Sequence, residues 1–237
     1  MSASDKGGYP TEPGGEIDIF FGNLATGYQW QTRVLTCFSD QRWRRFTAAA
    51  MRLAPGDQVL DLATGTGQLA RAVARNPARP RVSALDLNRS MLRIAALKSR
   101  NYTNIEYLQA DARCLPFADN TFSAISMGFG LRIIPERQKL LKECWRVLKG
   151  QGRVYFLETA AMDGWRRRVL QALQPYLPGL LARLNRRLQA YRYLLDSMLD
   201  FPSSHEIQKT LHQAGFVAAR SFLMKPSLAC VHIAEKP

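Results

Sequence analysis

No apolar stretch in this 237-residue chain approaches the ~20 residues that a helix needs to cross a bilayer. Cysteine is scarce and scattered. Cys37, Cys114, Cys144 and Cys230 show neither CxxC nor CxxH spacing, so no zinc site is indicated. Buried free thiols in a reducing compartment are expected, and the cytoplasm with them. Acid is also in short supply, with nineteen Asp and Glu against thirty-three Lys and Arg. The net charge is +14 and the pI near 10.1. Such an excess attracts polyanions, either nucleic acid or an anionic membrane surface. A solubilising coat of charge explains it as well. There is no internal repeat. Met1 to Gly15 is polar and rich in Gly and Pro, and reads as a disordered lead-in rather than a signal peptide. The chain is 46% hydrophobic and 22% charged, which suits one α/β domain with a full-sized core over residues 16–237.

What is present is a rhythm. Residues from about Trp30 to Leu53 read as helix, and the turn Ala54-Pro55-Gly56-Asp57 follows. Strands are expected at Gln58 to Leu62, Arg81 to Leu87, Ile105 to Gln109, Phe122 to Met127 and Arg153 to Glu158. Helices at Gln68 to Asn76, Arg89 to Arg100 and Glu136 to Leu148 alternate with them. Such alternation predicts βαβ units, right-handed crossovers and a doubly wound, mostly parallel sheet. Gly164 to Leu199 is mostly helical, interrupted at Pro175 and Pro178, and postpones the next pair. After it come a helix over Ser203 to Gln213 and strands over Val217 to Met224 and Leu228 to Ala234, seven strands in all. The inserted segment, residues 163–200, is read as a lid over the carboxyl edge, where open α/β folds bind ligands.

The strongest local signal is Asp61-Leu62-Ala63-Thr64-Gly65-Thr66-Gly67, directly after the first strand. Glycine lets a backbone turn sharply and approach a ligand, and the next helix aims free N–H groups at it. A pyrophosphate fingerprint wants a third glycine, but Ala70 stands in its place. Taken alone, the turn is also an ordinary βα connection. Asp86 ends the second strand about 20 residues on, where a carboxylate accepts both hydroxyls of a ribose. It reads also as a helix N-cap, although Asn88 or Ser90 is available for that. Asp111 follows the third strand and is placed to accept from an adenine amino group. Three acids at successive strand ends repel a pyrophosphate. They suit an adenosine whose sulfonium is positive, which separates S-adenosylmethionine (SAM) from NAD.

These residues resemble the class I SAM-dependent methyltransferases, with their Rossmann-like fold. The likeness narrows with Leu115-Pro116-Phe117-Ala118-Asp119-Asn120-Thr121-Phe122, Phe129-Gly130-Leu131-Arg132 and Arg146-Val147-Leu148-Lys149-Gly150. Tyr191-Arg192-Tyr193-Leu194, Ser197, Phe201-Pro202 and Ala214-Gly215-Phe216 continue it. Phe21-x-x-Leu24-Ala25-x-x-Tyr28 and Trp43-Arg44-Arg45-Phe46 precede it. From about Phe21 to Lys236 the set resembles the UbiE-type family, the C-methyltransferases of ubiquinone and menaquinone biosynthesis. The resemblance implies SAM contacts at Asp61, Gly65, Thr66, Gly67 and Asp86, with Leu87 and Met91 beside them. It implies Asp111 and Ala112 at the adenine end, Gly128 as a further SAM contact, and Tyr28 at the aromatic position near the cofactor pocket, a position that packing of an N-terminal helix also explains. Several positions depart from the family pattern. Ile133 replaces the asparagine of FGLRN, Gln29 the aspartate after Tyr28, and Leu157-Glu158-Thr159-Ala160-Ala161-Met162 the stretch LEFSKP. A glycine before the last strand is replaced near Pro226. Most of these changes surround the presumed acceptor, so another quinone or phenol stays open.

The resemblance implies methylation of the ring of a prenylated quinol, which needs an electron-rich ring carbon in line with the methyl donor. Metal is not required, and the protein's share is positioning and control of the phenol's proton. Arg132 is expected to stabilise the phenolate, being always charged; its alternative is a salt bridge at the strand end. Ile133 cannot order a relay water. Tyr193 and His205 are the further polar candidates, Tyr191 being a third, although a lone histidine at a helix start is often a cap or surface residue. The lid carries Trp165-Arg166-Arg167-Arg168, and a leucine stripe at 180, 181, 184 and 188 beside Arg183, Arg186 and Arg187. A basic amphipathic helix of this kind lies in a membrane interface or packs on the sheet with its arginines solvated. The inner face of an anionic membrane is therefore an expected peripheral address, and no nucleic-acid partner is expected. Homodimer or quinone-synthesis complex stays open. The competing readings are a SAM enzyme for a soluble phenol, a non-catalytic scaffold and an RNA methyltransferase.

Overall fold

The computed structural model describes residues 39–134, 136–161 and 199–237, together with 164, 168, 171, 172 and 176. The lead-in expected to be disordered, Tyr28, Tyr193 and nearly all of the expected lid lie outside the described residues. Among the described residues, twelve elements follow in order. Helix α1 (Asp40–Ala50) leads to β1 (Gln58–Leu62), α2 (Gln68–Ala74), β2 (Arg81–Asp86), α3 (Arg89–Lys98) and β3 (Ile105–Gln109). Then come β4 (Phe122–Gly128), α4 (Arg137–Val147) and β5 (Leu148–Thr159), and, later, α5 (Ser204–Gln213), β6 (Val217–Met224) and β7 (Ala229–Glu235).

The seven strands form one sheet in the order β3-β2-β1-β4-β5-β7-β6. The first five are parallel, and β7 enters antiparallel between β5 and β6. The order reverses between β1 and β4, so a crevice opens outside their carboxyl ends. Alternation along each strand divides the core. Val59, Val82, Ala84, Ala124 and Tyr155 pack with α1 and α2 through Ala48, Met51, Ala70 and Val73. Leu60, Leu85, Ile125, Met127 and Phe156 face the other way, onto Leu140 and Cys144 of α4 and Ile207 and Leu211 of α5. This is the doubly wound arrangement that the alternation predicts.

Local chemistry sets several boundaries. The Asn88 side chain accepts the Met91 N–H at 2.9 Å and starts α3. Ser203 and Glu206 form a capping box that starts α5. Strand β5 begins five residues before the expected Arg153, because the chain pairs Leu148 with Phe122 and passes through a register shift. Within that stretch Gln151 has φ +62° and its N–H donates to Lys236 O at 2.9 Å, so contact with the C-terminus extends the strand. Cys144 and Cys230 are buried free thiols, whereas Cys114 is exposed, contrary to the expectation for all four.

Candidate active site

The turn after β1 is strongly bent. Ala63, Gly65 and Gly67 have φ of +47°, +56° and +75°. A Cβ on Gly67 would stand 2.5 Å from Tyr107 Oη and 3.1 Å from Ala95 Cβ, so glycine is needed for packing as well as for φ. A Cβ on Gly65 would meet nothing within 4 Å, so this residue borders open space. Thr66 is buried, and its carbonyl accepts from Arg71 Nη1 at 2.8 Å. Tyr107 and Ser99 bind each other at 2.7 Å behind the turn.

The three acids occupy different environments. Asp61 is fully buried. Ser126 Oγ donates to one of its oxygens and Thr64 Oγ1 to the other, both at 2.6 Å. Burial pushes this carboxyl up to about 6, against the pull of the two hydroxyls and of Arg44. Asp61 therefore ties the turn to β4 from within. Asp86 is half-buried and accepts the Gly65 N–H at 2.7 Å and the Asn88 N–H at 2.9 Å. The N-cap of α3 is Asn88, so Asp86 is not spent on that duty. A carboxylate offers about four acceptor sites, and ribose hydroxyls are the kind of donor it accepts. Asp111 is gripped by the Arg113 guanidinium, with Nη2 at 2.8 Å and Nε at 3.1 Å from both oxygens. Burial raises its pKa, but the Arg113 hydrogen bonds outweigh this and hold it below the ordinary range. Arg113 also reaches Glu136 just before α4, so it bridges two loops of the crevice. Leu87 is half-buried, and Met91 and Ala112 are buried.

The other side of the switch point carries more cations. Gly128 ends β4, and a Cβ there would lie 2.9 Å from Arg44 Nη1. Phe129 has φ +61°, and two guanidinium groups approach its ring, Arg44 at 5.2 Å and Arg132 at 5.5 Å from the centroid. Arg132 Nη1 is 3.0 Å from Glu158 Oε2, with 6% and 1% of the two side chains exposed. Glu158 also accepts the Arg132 N–H at 3.2 Å and the Thr159 N–H at 3.1 Å. The strand-end salt bridge named as Arg132's alternative thus exists; an always-charged group is held rigidly at the sheet edge. His205 is exposed in the first turn of α5. Its neighbour Ser204 approaches Cys230 Sγ at 3.6 Å, and Cys230 pairs with Glu158, so this helix start belongs to the same edge.

The fold thus gathers Asp61, Gly65, Thr66, Gly67, Asp86, Leu87, Met91, Asp111, Ala112, Gly128 and Arg132 along one edge. Sequence reasoning passed over Arg44, Arg113 and Glu158 as parts of this edge. It also passed over Gln68 and Asn88, whose Oε1 and Nδ2 atoms are buried without a hydrogen-bond partner among the described residues. Two unsatisfied polar atoms beside the turn, open space at Gly65 and the carboxylate of Asp86 at the end of β2 fit an adenosyl ligand with polar ends. The signal for Gln68 and Asn88 was their place as the first residue of one helix and the cap of the next.

The comparisons extend along the same residues. The model of the ubiE/COQ5 methyltransferase family matches residues 14–236. The ubiquinone/menaquinone biosynthesis C-methyltransferase UbiE of Geotalea uraniireducens is 32% identical over 95% of this chain and 98% of its own. The demethylmenaquinone methyltransferase of Clavibacter sepedonicus is 31% identical over 94% and 91%. In fold, the chain is similar to a SAM-dependent methyltransferase from Aquifex aeolicus, with a TM-score of 0.61 at 20% identity over 82% of this chain and 89% of that one. This chain is a methyltransferase enzyme that uses SAM. A match spanning almost every residue, together with the geometry of the β1 turn, assigns the chain to the ubiE/COQ5 methyltransferase family.

Proposed function

We propose that this enzyme methylates a ring carbon of a prenylated quinol, a demethylmenaquinol or a ubiquinol precursor. The observation that carries the reading is the full-length likeness to relatives named for that activity, 32% identical over 95% of the chain. When bound, SAM supplies an electrophilic methyl group. In this reading Gly65, Thr66, Gly67, Asp86, Leu87, Met91, Asp111, Ala112 and Gly128 hold the cofactor, with Tyr28 against it. Asp61 braces the turn. Arg132 stabilises the phenolate whose ortho carbon is the nucleophile, and Glu158 aims the guanidinium. Ile133 has no polar atom to relay the phenol's proton, so Tyr193 or His205 is assigned that route. The +14 charge supports peripheral attachment to an anionic membrane surface, where a prenylated acceptor resides.

The test supplies methyl-labelled SAM with soluble analogues of demethylmenaquinol and demethoxyubiquinol. Label on a ring carbon of either is expected, and no transfer to either would refute the reading. Label on oxygen would move the assignment to another phenolic acceptor. One observation favours that second reading. Thr159 stands where the family pattern has phenylalanine, and its Oγ1 is buried without a hydrogen-bond partner among the described residues.

A further inference from the structure

The positive charge of the chain is concentrated. Residues 40–104 contain twelve Arg and Lys and only four acids, so this stretch carries eight of the fourteen net charges. Asp57 and Asp61 are held by hydroxyl and backbone donors, leaving them little reach toward the surface arginines. The stretch supplies α1, α2 and α3, which share one side of the sheet. Helix α2 lies between the other two. It packs on α1 through Ala48, Met51 and Ala70, and meets α3 where Arg71 Nη1 lies 3.4 Å from Ser99 Oγ.

The outer surfaces of α1 and α3 are alike. On α1, Arg42, Arg45 and Phe46 are exposed, the last to 42%. On α3, Arg89, Arg93 and Leu97 are exposed, the last to 57%. None of these four arginines has an ion-pair partner among the described residues. The face also borders the crevice. Arg42 and Arg45 flank Trp43 and Arg44, which reach Phe129, and Arg89 follows Asn88, whose N–H binds Asp86.

We infer that the outer face of α1 and α3 docks the enzyme on an anionic lipid bilayer, with arginines on headgroups and Phe46 and Leu97 in the interface. Unpaired guanidinium groups around large apolar side chains match the layered chemistry of that boundary. A phosphodiester backbone offers nothing to an exposed leucine, so the bilayer is favoured over RNA. The inference rests on the quinol reading only for the enzyme's reason to visit a membrane. It adds which face does so, and it brings the mouth of the crevice next to the lipid.

The test is co-sedimentation of the full chain with vesicles of phosphatidylcholine, alone or with phosphatidylglycerol, at low and high salt. Binding to the anionic vesicles that weakens with salt is expected, with little binding to phosphatidylcholine alone. Each charge removed should weaken binding about fivefold, so R42Q/R45Q/R89Q/R93Q should abolish it while R166Q/R167Q/R168Q retains most. The quadruple variant should keep the wild-type melting temperature and its turnover of a short-tailed quinol analogue, since all four positions are exposed and outside the site. Undiminished binding by the quadruple variant would overturn the inference. So would loss confined to the 166–168 variant, or displacement of vesicles by an RNA oligomer that binds more tightly. Vesicle binding without methyl transfer would refute the quinol reading alone, and transfer without vesicle binding would refute this inference alone.

Discussion

The β1–β2–β3 side of the crevice and its β4–β5 side handle charge in different ways. On the first, Asp61 and Asp86 are held by hydroxyl and backbone N–H donors, and Asp111 by an arginine two residues away. On the second, Arg132 and Glu158 form a buried ion pair across 26 residues of chain, and Arg44 reaches Gly128 and Phe129 from a separate helix. Neutral donors around a carboxylate leave it able to accept more, which suits a ligand with hydroxyls. A buried ion pair fixes one cation in place, which suits a charge that develops during a reaction. On the proposed roles, the difference separates binding from chemistry.

The largest effect expected is at the ion pair. Glu158→Gln leaves Arg132 buried beside a neutral group and should lower stability by about 3–5 kcal/mol. The double change Arg132→Met with Glu158→Met should recover most of that in urea unfolding, yet stay inactive. Recovery of activity would break the comparison.

Next come two buried titratable groups, one on β1 and one on β7 beside β5, with opposite signs. Asp61 is raised from 3.8 to about 6, so its folded form prefers the proton, and its contribution to stability is lost as pH rises from about 4 through 6. His232 is lowered from 6.5 to about 4 by burial, so its contribution is present above 6.5 and is lost as pH falls through 4. Each is worth on the order of 3 kcal/mol at one pH unit per 1.36 kcal/mol. The two slopes nearly cancel in the wild type between pH 4.5 and 6, a window that lies at or above the ordinary values of the depressed acids Asp111 and Glu143. Asp61→Asn should then gain stability with rising pH, and His232→Asn should lose it. Urea unfolding across that window checks both.

Asp86→Ala removes charged hydrogen bonds worth about 1.5–3 kcal/mol and should weaken S-adenosylhomocysteine binding about 10- to 150-fold. Smallest are the glycines. Gly67→Ala meets Tyr107 and should lower the melting temperature, while Gly65→Ala carries only the φ strain, roughly 1–2 kcal/mol. Calorimetry should nonetheless find weaker cofactor binding for Gly65→Ala, because the methyl enters the open space.

The same contrast decides what the sequence made legible. On the β1–β2–β3 side each acid has one partner close in the chain. Thr64 lies three residues from Asp61, Asn88 two from Asp86 and Arg113 two from Asp111. Strand-end acids and a Gly-rich turn can therefore be read directly, as can the alternation that builds the sheet. On the β4–β5 side the partners are far apart. Trp43 Nε1 donates to Lys225 O at 2.8 Å across 182 residues, and Glu158 meets Arg132 only because β4 and β5 are neighbours. No local spacing announces such contacts. The antiparallel β7 between β5 and β6 is a choice of tertiary packing that strand patterns leave undetermined, and the early start of β5 depends on the C-terminal residues that fold back on it.

Calorimetry with S-adenosylhomocysteine on Asp86→Ala and Arg132→Lys, beside turnover of the same samples, tests the division of labour most directly. Arg132→Lys should bind within about threefold of wild type while turnover falls about 10²- to 10³-fold, whereas Asp86→Ala loses affinity. Cofactor affinity lost equally in both variants would contradict it.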